Sequence, residues 1–353
     1  MTKTSTWTKS YTEIKLGEKK KTAPSISPYI ISVSRSTDIP AFYSDWFYER
    51  LREGYSVWLN PMNQKPQIVN FENVKFIVFW TKNERPLHKY LKKIDEKKIR
   101  YYFQYSINDY EKEGFEPNVP PLYDRISSFI ELSNQIGRER VIWRFDPLVL
   151  SDRITINVLL EKIKKIGDLL HPFTEKLVIS FIDIEPYRAV RRNLDNLNFF
   201  DVREFNEEEM RIFAEKLEEI NENWGLKIAT CGEIIDLSEF GIEHNKCIDP
   251  ELIKRLCFDD FDFIKYVNNN AEKDKGQRDV CGCMASKDIG MYNTCMHQCV
   301  YCYANHFNQM VKNNYQKHLE SDHSPTINGS RNWERILSED KSNQKSLNSF
   351  SSF

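Results

Sequence analysis

The chain has 353 residues, 40% hydrophobic and 29% charged, with a formal net charge of −2. This is an ordinary globular composition, long enough for one large α/β domain or two small ones, and it excludes a global basic field that would draw in nucleic acid. No apolar run is long enough to cross a bilayer, the N-terminus lacks the apolar core of a secretion signal, and eight cysteines suit reduced thiols and metal ligands, so the expected compartment is the cytoplasm, with no membrane partner.

Residues 1–27 are polar and rich in Lys, Thr and Ser, and read as a solvated arm with a short basic run from Lys19 to Lys21. The body, 28–268, alternates strand-like and helix-like segments. Six apolar, β-branched or aromatic runs read as buried strands, at 29–34, 74–80, 100–106, 140–145, 177–182 and 226–230. A short pair near 55–59 and 66–70 suits an edge hairpin. Between the strands lie helical patterns. Tyr43 to Glu53 stops at Gly54, a natural C′ residue. Leu87, Tyr90, Leu91 and Ile94 share a face, as do Leu122, Ile126, Phe129 and Ile130 before Gly137, and Leu159, Ile163, Ile166 and Leu170. Asn206 with Glu209 reads as a capping box ahead of Met210, Phe213 and Leu217. Asp249 and Pro250 open a last helix, with Cys257 in its core stripe.

Repeated β-then-α units imply parallel strands joined by right-handed crossovers. The expected fold is therefore α/β: a parallel (β/α) barrel, partial or full, of about six β/α units, with a doubly wound open sheet as the alternative. From residue 269 the alternation stops. The stretch 269–325 is a cysteine-rich metal-binding region expected to pack on the barrel, and 326–353, rich in Ser, Asn and Lys, is expected to be a loose polar tail.

In β/α folds the active site gathers at the carboxyl ends of the strands. There the chain places Arg35 and Asp38, Lys82, Gln104 and Ser106, Arg144 and Asp146, Ser180 and Asp183, then Cys231-Gly232-Glu233. Arg35, Lys82 and Arg144 suit carboxylate or phosphate groups. Asp38, Asp146, Asp183 and Glu233 can pair with them or move protons. Polar residues mark any strand end, but six strands converging on Arg, Lys and Asp call for a use.

Cys295-Met-His-Gln-Cys299-Val-Tyr-Cys302 has C-x3-C-x2-C spacing, with Tyr301 just before the last cysteine. Three thiolates that close can hold three irons of a 4Fe–4S cluster and leave the fourth iron without a protein ligand. The stretch resembles the signature of radical S-adenosylmethionine (SAM) enzymes. That resemblance implies SAM on the open iron, its one-electron cleavage to a radical, an electron donor such as flavodoxin or ferredoxin, and a substrate that is a small molecule or a nucleic acid. Glu233 and Tyr301 then belong beside the cofactor. In radical SAM enzymes the cysteine loop follows the first barrel strand; here it follows the last predicted one. Cys281, Cys283, Cys231 and Cys247 are left over. They can hold a second cluster or zinc, one of Cys281 or Cys283 can complete the first cluster, or they are free thiols. His297 either tunes the cluster or caps its loop, and Lys273 to Arg278 form either a basic lip or a solvated turn. The rival readings of the whole are a non-catalytic binding or sensor protein stapled by zinc or a fully ligated cluster, and a β/α hydrolase or lyase working through Asp and Arg.

Longer motifs carry a second resemblance. Ser-Arg-Ser-Thr-Asp-Ile-Pro-Ala-Phe-Tyr (34–43), Phe-Trp-Thr-Lys-Asn (79–83), Trp-Arg-Phe-Asp-Pro (143–147), Gln-Arg-Asp-Val-Cys-Gly-Cys (277–283) and Asp-Ile-Gly-Met-Tyr-Asn-Thr-Cys (288–295), followed by Cys-Val-Tyr-Cys-Tyr-Ala-Asn (299–305), resemble the bacterial domain-of-unknown-function 1848 family. The resemblance spans roughly residues 29 to 328 and implies a C-terminal cysteine cluster similar to the radical SAM one, with no established reaction. Where that family commonly reads Ser-Arg-Arg-Thr-Asp, this chain has Ser36.

Overall fold

A computed structural model describes residues 7–16, 19–197, 201–274, 276–321 and 323–334. In chain order its strands are β1 (Thr8–Leu16), β2 (Lys19–Ser27), β3 (Ile30–Val33), β4 (Tyr55–Leu59), β5 (Pro66–Asn70), β6 (Phe76–Thr81), β7 (Arg100–Ser106), β8 (Val141–Leu148), β9 (Lys176–Phe181), β10 (Lys227–Thr230), β11 (Ile242–His244) and β12 (Lys287–Asp288). The helices are α1 (Ile39–Phe42), α2 (Ser44–Glu53), α3 (His88–Glu96), α4 (Leu122–Ile136), α5 (Ile156–Leu170), α6 (Arg188–Asp195), α7 (Glu207–Asn221), α8 (Pro250–Leu256), α9 (Phe261–Asn269) and α10 (Asn308–Glu320). All six strands expected from sequence are present, as is the β4–β5 hairpin.

The large sheet has eight strands in the order β11-β10-β9-β8-β7-β6-β3-β12, and its neighbours run parallel. Strand order follows chain order until the last strand returns beside the first. Among the described residues no ladder joins β11 to β12, so the sheet is open at that seam and, of the partial or full barrel expected from sequence, the full, closed form is not found. Both edge strands are short, and backbone pairing needs facing lengths of extended chain.

The segment expected to be a solvated arm departs from that reading. Residues 8–27 form an antiparallel pair, Thr8 opposite Ser27, and β2 runs parallel to β5 in a second sheet ordered β1-β2-β5-β4. Burial alternates with period two through Thr12 and Ile14, then Ala23, Ser25 and Ser27. The covered face is carried by small and hydroxyl-bearing residues, so no apolar alternation marks it. Lys20 of the basic run pairs with Glu13 at 2.7 Å. The first residues of the segment expected to be a loose tail, 326–334, are packed. Thr326, Ile327, Asn328 and Trp333 are buried, and Trp333 joins Ile14, Tyr55, Val57 and Ile68 under the small sheet. Residues 335–353 lie outside the described residues.

The two faces of the large sheet differ. One face carries Ile31, Val33, Ile77, Phe79, Phe103, Trp143 and Ile179, and packs with Leu51, Leu91, Phe129, Ile163 and Phe213 of the flanking helices. Asn206 caps α7 with the reciprocal Glu209 bond expected from sequence, worth about 1 kcal/mol. The other face carries Ile30, Phe76, Val78, Tyr102, Ile142 and Val178, covered by Leu252, Ile253, Phe263 and Val267 of α8 and α9 and by Cys257. Two residues further along the same face, period-two alternation brings up Ser32, Trp80, Gln104, Arg144 and Ser180. The inner face is thus apolar at the amino ends of the strands and polar at their carboxyl ends.

Candidate active site at the carboxyl ends of the strands

A cavity of about 330 Å³ opens where the inner face turns polar. Arg35, Asp38, Lys82, Arg144, Asp146, Asp183, Glu233 and Tyr301 all line it. So do Cys231, Cys247, Cys281, Cys283, Cys295, Cys299 and Cys302. These residues, all singled out from sequence, therefore meet at one place. Cys257 stays in the core, as its helical stripe predicts.

The geometry separates residues that hold from residues that are free to act. Asp38 is buried and its oxygens are taken. Oδ1 accepts from Ala41 N at 3.0 Å and Thr81 Oγ1 at 2.8 Å. Oδ2 accepts from Lys82 N at 2.7 Å and His297 Nε2 at 2.9 Å. Asp38 thus caps α1 and ties β6 to the cysteine loop. The other ring nitrogen of His297, Nδ1, lies 3.0 Å from Asn118 O, so the ring is held on both sides and fastens the loop.

Lys82 lies over the Tyr301 ring, with Nζ 2.8 Å from Glu116 Oε1. The Tyr301 hydroxyl donates to the same carboxylate, and Asn108 Nδ2 donates to it at 3.1 Å. Burial pushes the Glu116 carboxyl up, but the Lys82 and Arg125 charges outweigh it and hold Glu116 below its ordinary value. Burial likewise pulls Lys82 down, and the Glu116 charge more than restores it.

Arg144 is buried. Nε donates to Asp146 Oδ2 at 3.0 Å and Nη2 donates to the same oxygen, while Nη1 reaches Gln104 Oε1 at 3.0 Å and Cys247 Sγ at 3.2 Å. Asp146 also accepts from the Ser180 hydroxyl. Arg35 Nη2 donates to Ser286 Oγ at 2.8 Å with its guanidinium over the Trp80 ring, and among the described residues its buried Nε has no hydrogen-bond partner. Asp183 sits on the rim and pairs with Arg278 at 2.9 Å, so the basic stretch 273–278 reaches the cavity mouth through Arg278. Glu233 Oε1 accepts from Phe181 N at 2.9 Å. Burial pushes its carboxyl up to about 7, the range in which a side chain gives and takes protons near neutrality.

The 295–302 loop is docked by several contacts. Tyr43 OH donates to Thr294 O at 2.6 Å, Asn118 Nδ2 to Met296 O at 3.0 Å, and Asn305 Nδ2 to Cys295 O at 2.7 Å. Gly290 makes the approach possible: a Cβ there would lie 1.9 Å from Ser34 Oγ. Burial pushes the Cys295 thiol up to about 12, while amide N–H groups of His297 and Asp38 act on its sulfur in the opposite direction. Burial also raises Cys302, opposed by the amides of Ala304 and Asn305, and it raises Cys299, opposed by Lys82.

The other four cysteines form a second group. Cys231 Sγ and Cys247 Sγ are 3.3 Å apart. Cys283 Sγ accepts from Cys247 N at 3.1 Å, and its thiol contacts both Cys247 and Cys281. Hydrogen bonds from Cys231 and Cys283 hold Cys247 well below an ordinary thiol value, and Cys283 lowers Cys281 to about 6. Cys281 and Cys283 thus group with Cys247.

Among the described residues no three His, Cys, Asp or Glu side chains are gathered as a ready site for one metal ion. The trio still fits a cluster by its chemistry. Three thiols face one cavity, two of them with amide N–H donors at sulfur and one with a buried lysine beside it, and a cluster spreads its thiolates over separate irons.

A family model described as "Domain of unknown function (DUF1848)" matches residues 30–304. The chain belongs to the DUF1848 family. No curated protein and no solved structure matches it. The DUF1848 match starts at the first residue of β3 and ends two residues past Cys302, so it takes in every cavity residue named above. It leaves out β1, β2 and α10. Three DUF1848 residues that hold the site escaped the sequence reading: Glu116, Asn108 and Arg125. They lie in the loop after β7 and at the start of α4, at no motif spacing. The one available signal was a Glu among the apolar Tyr110, Phe115 and Val119, with cations required elsewhere to neutralise it.

Proposed function

We propose that this DUF1848 protein is a radical SAM-like iron–sulfur enzyme in which Cys295, Cys299 and Cys302 hold a 4Fe–4S cluster. The observation that carries the reading is that these three thiols line the same cavity as the carboxyl ends of β3, β6, β8, β9 and β10. Their loop follows the last strands in sequence, yet the Asp38–His297 bond and the close approach at Gly290 set it against the end of the first strand of the large sheet. We read the chain-ordered, open sheet as a partial (β/α) barrel, permuted with respect to the radical SAM arrangement.

When bound, the cluster and SAM supply one-electron cleavage to a radical. The chain's own residues bind, orient and shield. Arg35, whose Nε has no partner among the described residues, holds a carboxylate or phosphate group. Arg144, fixed by Asp146 and Gln104, keeps a buried positive charge on the cavity floor. Lys82, Glu116 and Tyr301 form a neutralised wall behind Cys299. Glu233 holds or releases a proton at its carboxyl oxygens. The substrate is a small molecule on this reading, since a chain at −2 offers nucleic acid no global attraction. A cytoplasmic setting and a flavodoxin or ferredoxin donor complete the proposal. The eight free cysteines accord with a reducing compartment.

Anaerobic purification followed by iron and sulfide analysis tests this, with EPR of the reduced protein recorded with and without SAM. The expected result is about four irons per cluster and a signal that SAM shifts. Zinc in place of iron at the trio, or a signal indifferent to SAM, overturns the proposal and favours a metal-stapled binding or sensor protein.

A further inference from the structure

Cys231, Cys247, Cys281 and Cys283 have no part in the cluster reading. They come from three separate stretches: the end of β10, the turn after β11, and the loop that leads into β12. These are the two sides of the open seam. Backbone contact across the seam includes Met284 N donating to Ile248 O at 3.2 Å. We propose that the four thiols form a second metal centre, a mononuclear four-thiolate zinc site that staples β10 and β11 to the segment before β12.

Three observations support this. One pair already stands as ligands of one ion do: four sulfurs at about 2.3 Å from zinc lie about 3.8 Å apart, and Cys231 and Cys247 are at 3.3 Å. Thiolates on a 4Fe–4S cluster bind separate irons and stand wider. The surroundings suit negative sulfur. Arg144 Nη1 and Asn245 Nδ2 donate to Cys247 Sγ at 3.2 and 3.1 Å, and Cys247 N donates to Cys283 Sγ. A Zn²⁺ ion with four thiolates carries a net charge of −2, and the Arg144 and Arg35 guanidinium groups lie in the same cavity. The loop also packs closely: a Cβ on Gly282 would meet Lys246 Cγ at 3.2 Å, so Cys281 and Cys283 flank a residue pressed against the β11 turn.

The thiols form a chain, from Cys231 through Cys247 and Cys283 to Cys281, and not a closed shell. The thiols bond pairwise. An entering Zn²⁺ displaces to water whatever protons the four sulfurs still carry and exchanges those pairwise bonds for four zinc–sulfur bonds, with no electron transferred.

The decisive sample is the full chain carrying Cys295→Ala, Cys299→Ala and Cys302→Ala, which keeps only the proposed zinc ligands and Cys257. Elemental analysis should find about one zinc per chain, falling about fivefold or more when Cys283→Ser is added. Because the triple variant can misfold, cobalt(II) loading of the unmutated chain gives a second readout: intense sulfur-to-cobalt charge transfer and the absorption of a tetrahedral four-thiolate site. No metal in a folded triple variant, iron with sulfide there in place of zinc, a cobalt spectrum of fewer thiolates, or a Cys231–Cys247 disulfide found by mass spectrometry each overturns the proposal. A chain with zinc here and no cluster at the trio would remove the enzyme reading and leave this one standing.

Discussion

The trio at 295–302 and the quartet at 231, 247, 281 and 283 face one cavity, yet they reach it by different physics. The trio sits on eight residues, so its ligand spacing is local, and the fold has only to dock the loop. That docking rests on a few buried polar contacts: Asp38 with His297, Tyr43 with Thr294 O, and Asn305 with Cys295 O. The quartet has no spacing of its own. Cys231 and Cys247 stand where β10 and β11 end, and Cys283 is held by the Cys247 amide. A local motif is portable but can be undocked, whereas a dispersed set is only as sound as the strands that carry it. Perturbing the dock should therefore unseat the trio and spare the quartet.

The largest effect should come from Asp38→Ala. It strips the acceptor from two backbone amides, the Thr81 hydroxyl and His297 Nε2 at once, and leaves the buried imidazole held only at Nδ1. Leaving buried donors without an acceptor costs about 1–3 kcal/mol for each, to be read from urea unfolding, and Asp38→Asn should recover part of it. Alkylation followed by mass spectrometry then tests the comparison itself. In the Asn variant Cys295, Cys299 and Cys302 should label faster, while Cys247 and Cys283 keep their protection. Equal acceleration at all of them would mean that trio and quartet are one cooperative unit.

Two glycines sharpen the contrast at lower energy. In Gly290→Ala the new methyl meets Ser34 Oγ at 1.9 Å and Ser34 Cβ at 2.6 Å, so deleting the hydroxyl gives no relief. Overpacking there should cost about 1–3 kcal/mol and loosen the trio's loop. In Gly282→Ala the nearest atom is Lys246 Cγ at 3.2 Å, part of a flexible side chain that can move aside. That change should stay within about 0.5 kcal/mol in the same denaturation series. A reversal of the two would mean that the quartet's loop, and not the trio's, is the tightly docked one.

The same contrast sets what could be read from sequence. Cys295, Cys299 and Cys302 were legible because their spacing is itself the signal. Arg35, Lys82, Arg144 and Glu233 were legible because strand ends can be counted off from apolar runs, and in parallel sheets those ends face one way. The pairing of Cys231 with Cys247 was not, since it depends on the register of two adjacent strands, one of which, β11, has three residues and no period to detect. Asp38 showed as an acid beside the pocket. Its role as a pin emerges only when residues 43 to 259 positions away are folded against it. Hairpin β1–β2 escaped for another reason: its covered face is built from Thr12, Ala23 and Ser25, where hydrogen bonds such as Thr12 Oγ1 to Ser25 Oγ at 2.8 Å replace apolar bulk.

The smallest effect bears on the seam from its far side. Lys287 lies in β12, four residues past Cys283, with Nζ 3.3 Å from the centre of the Trp58 ring of the small sheet. Burial pushes its ammonium down to about 8, with Asp288 acting the other way. Between that value and the ordinary 10.5 the folded chain binds fewer protons than the unfolded one, so stability should rise with pH across this window and stay flat below it. The Trp58 face opposes the trend by favouring the cation, a contact worth about 0.5–2 kcal/mol. Lys287→Met removes charge, burial penalty and ring contact together. Its stability at pH 7 should therefore change by no more than about 1 kcal/mol, while the rise between pH 8 and 10 disappears. A parent chain with no such rise would mean that Trp58 already cancels the cost of burying the ammonium. β12 would then be anchored from the small sheet as firmly as the quartet is proposed to hold it across the seam.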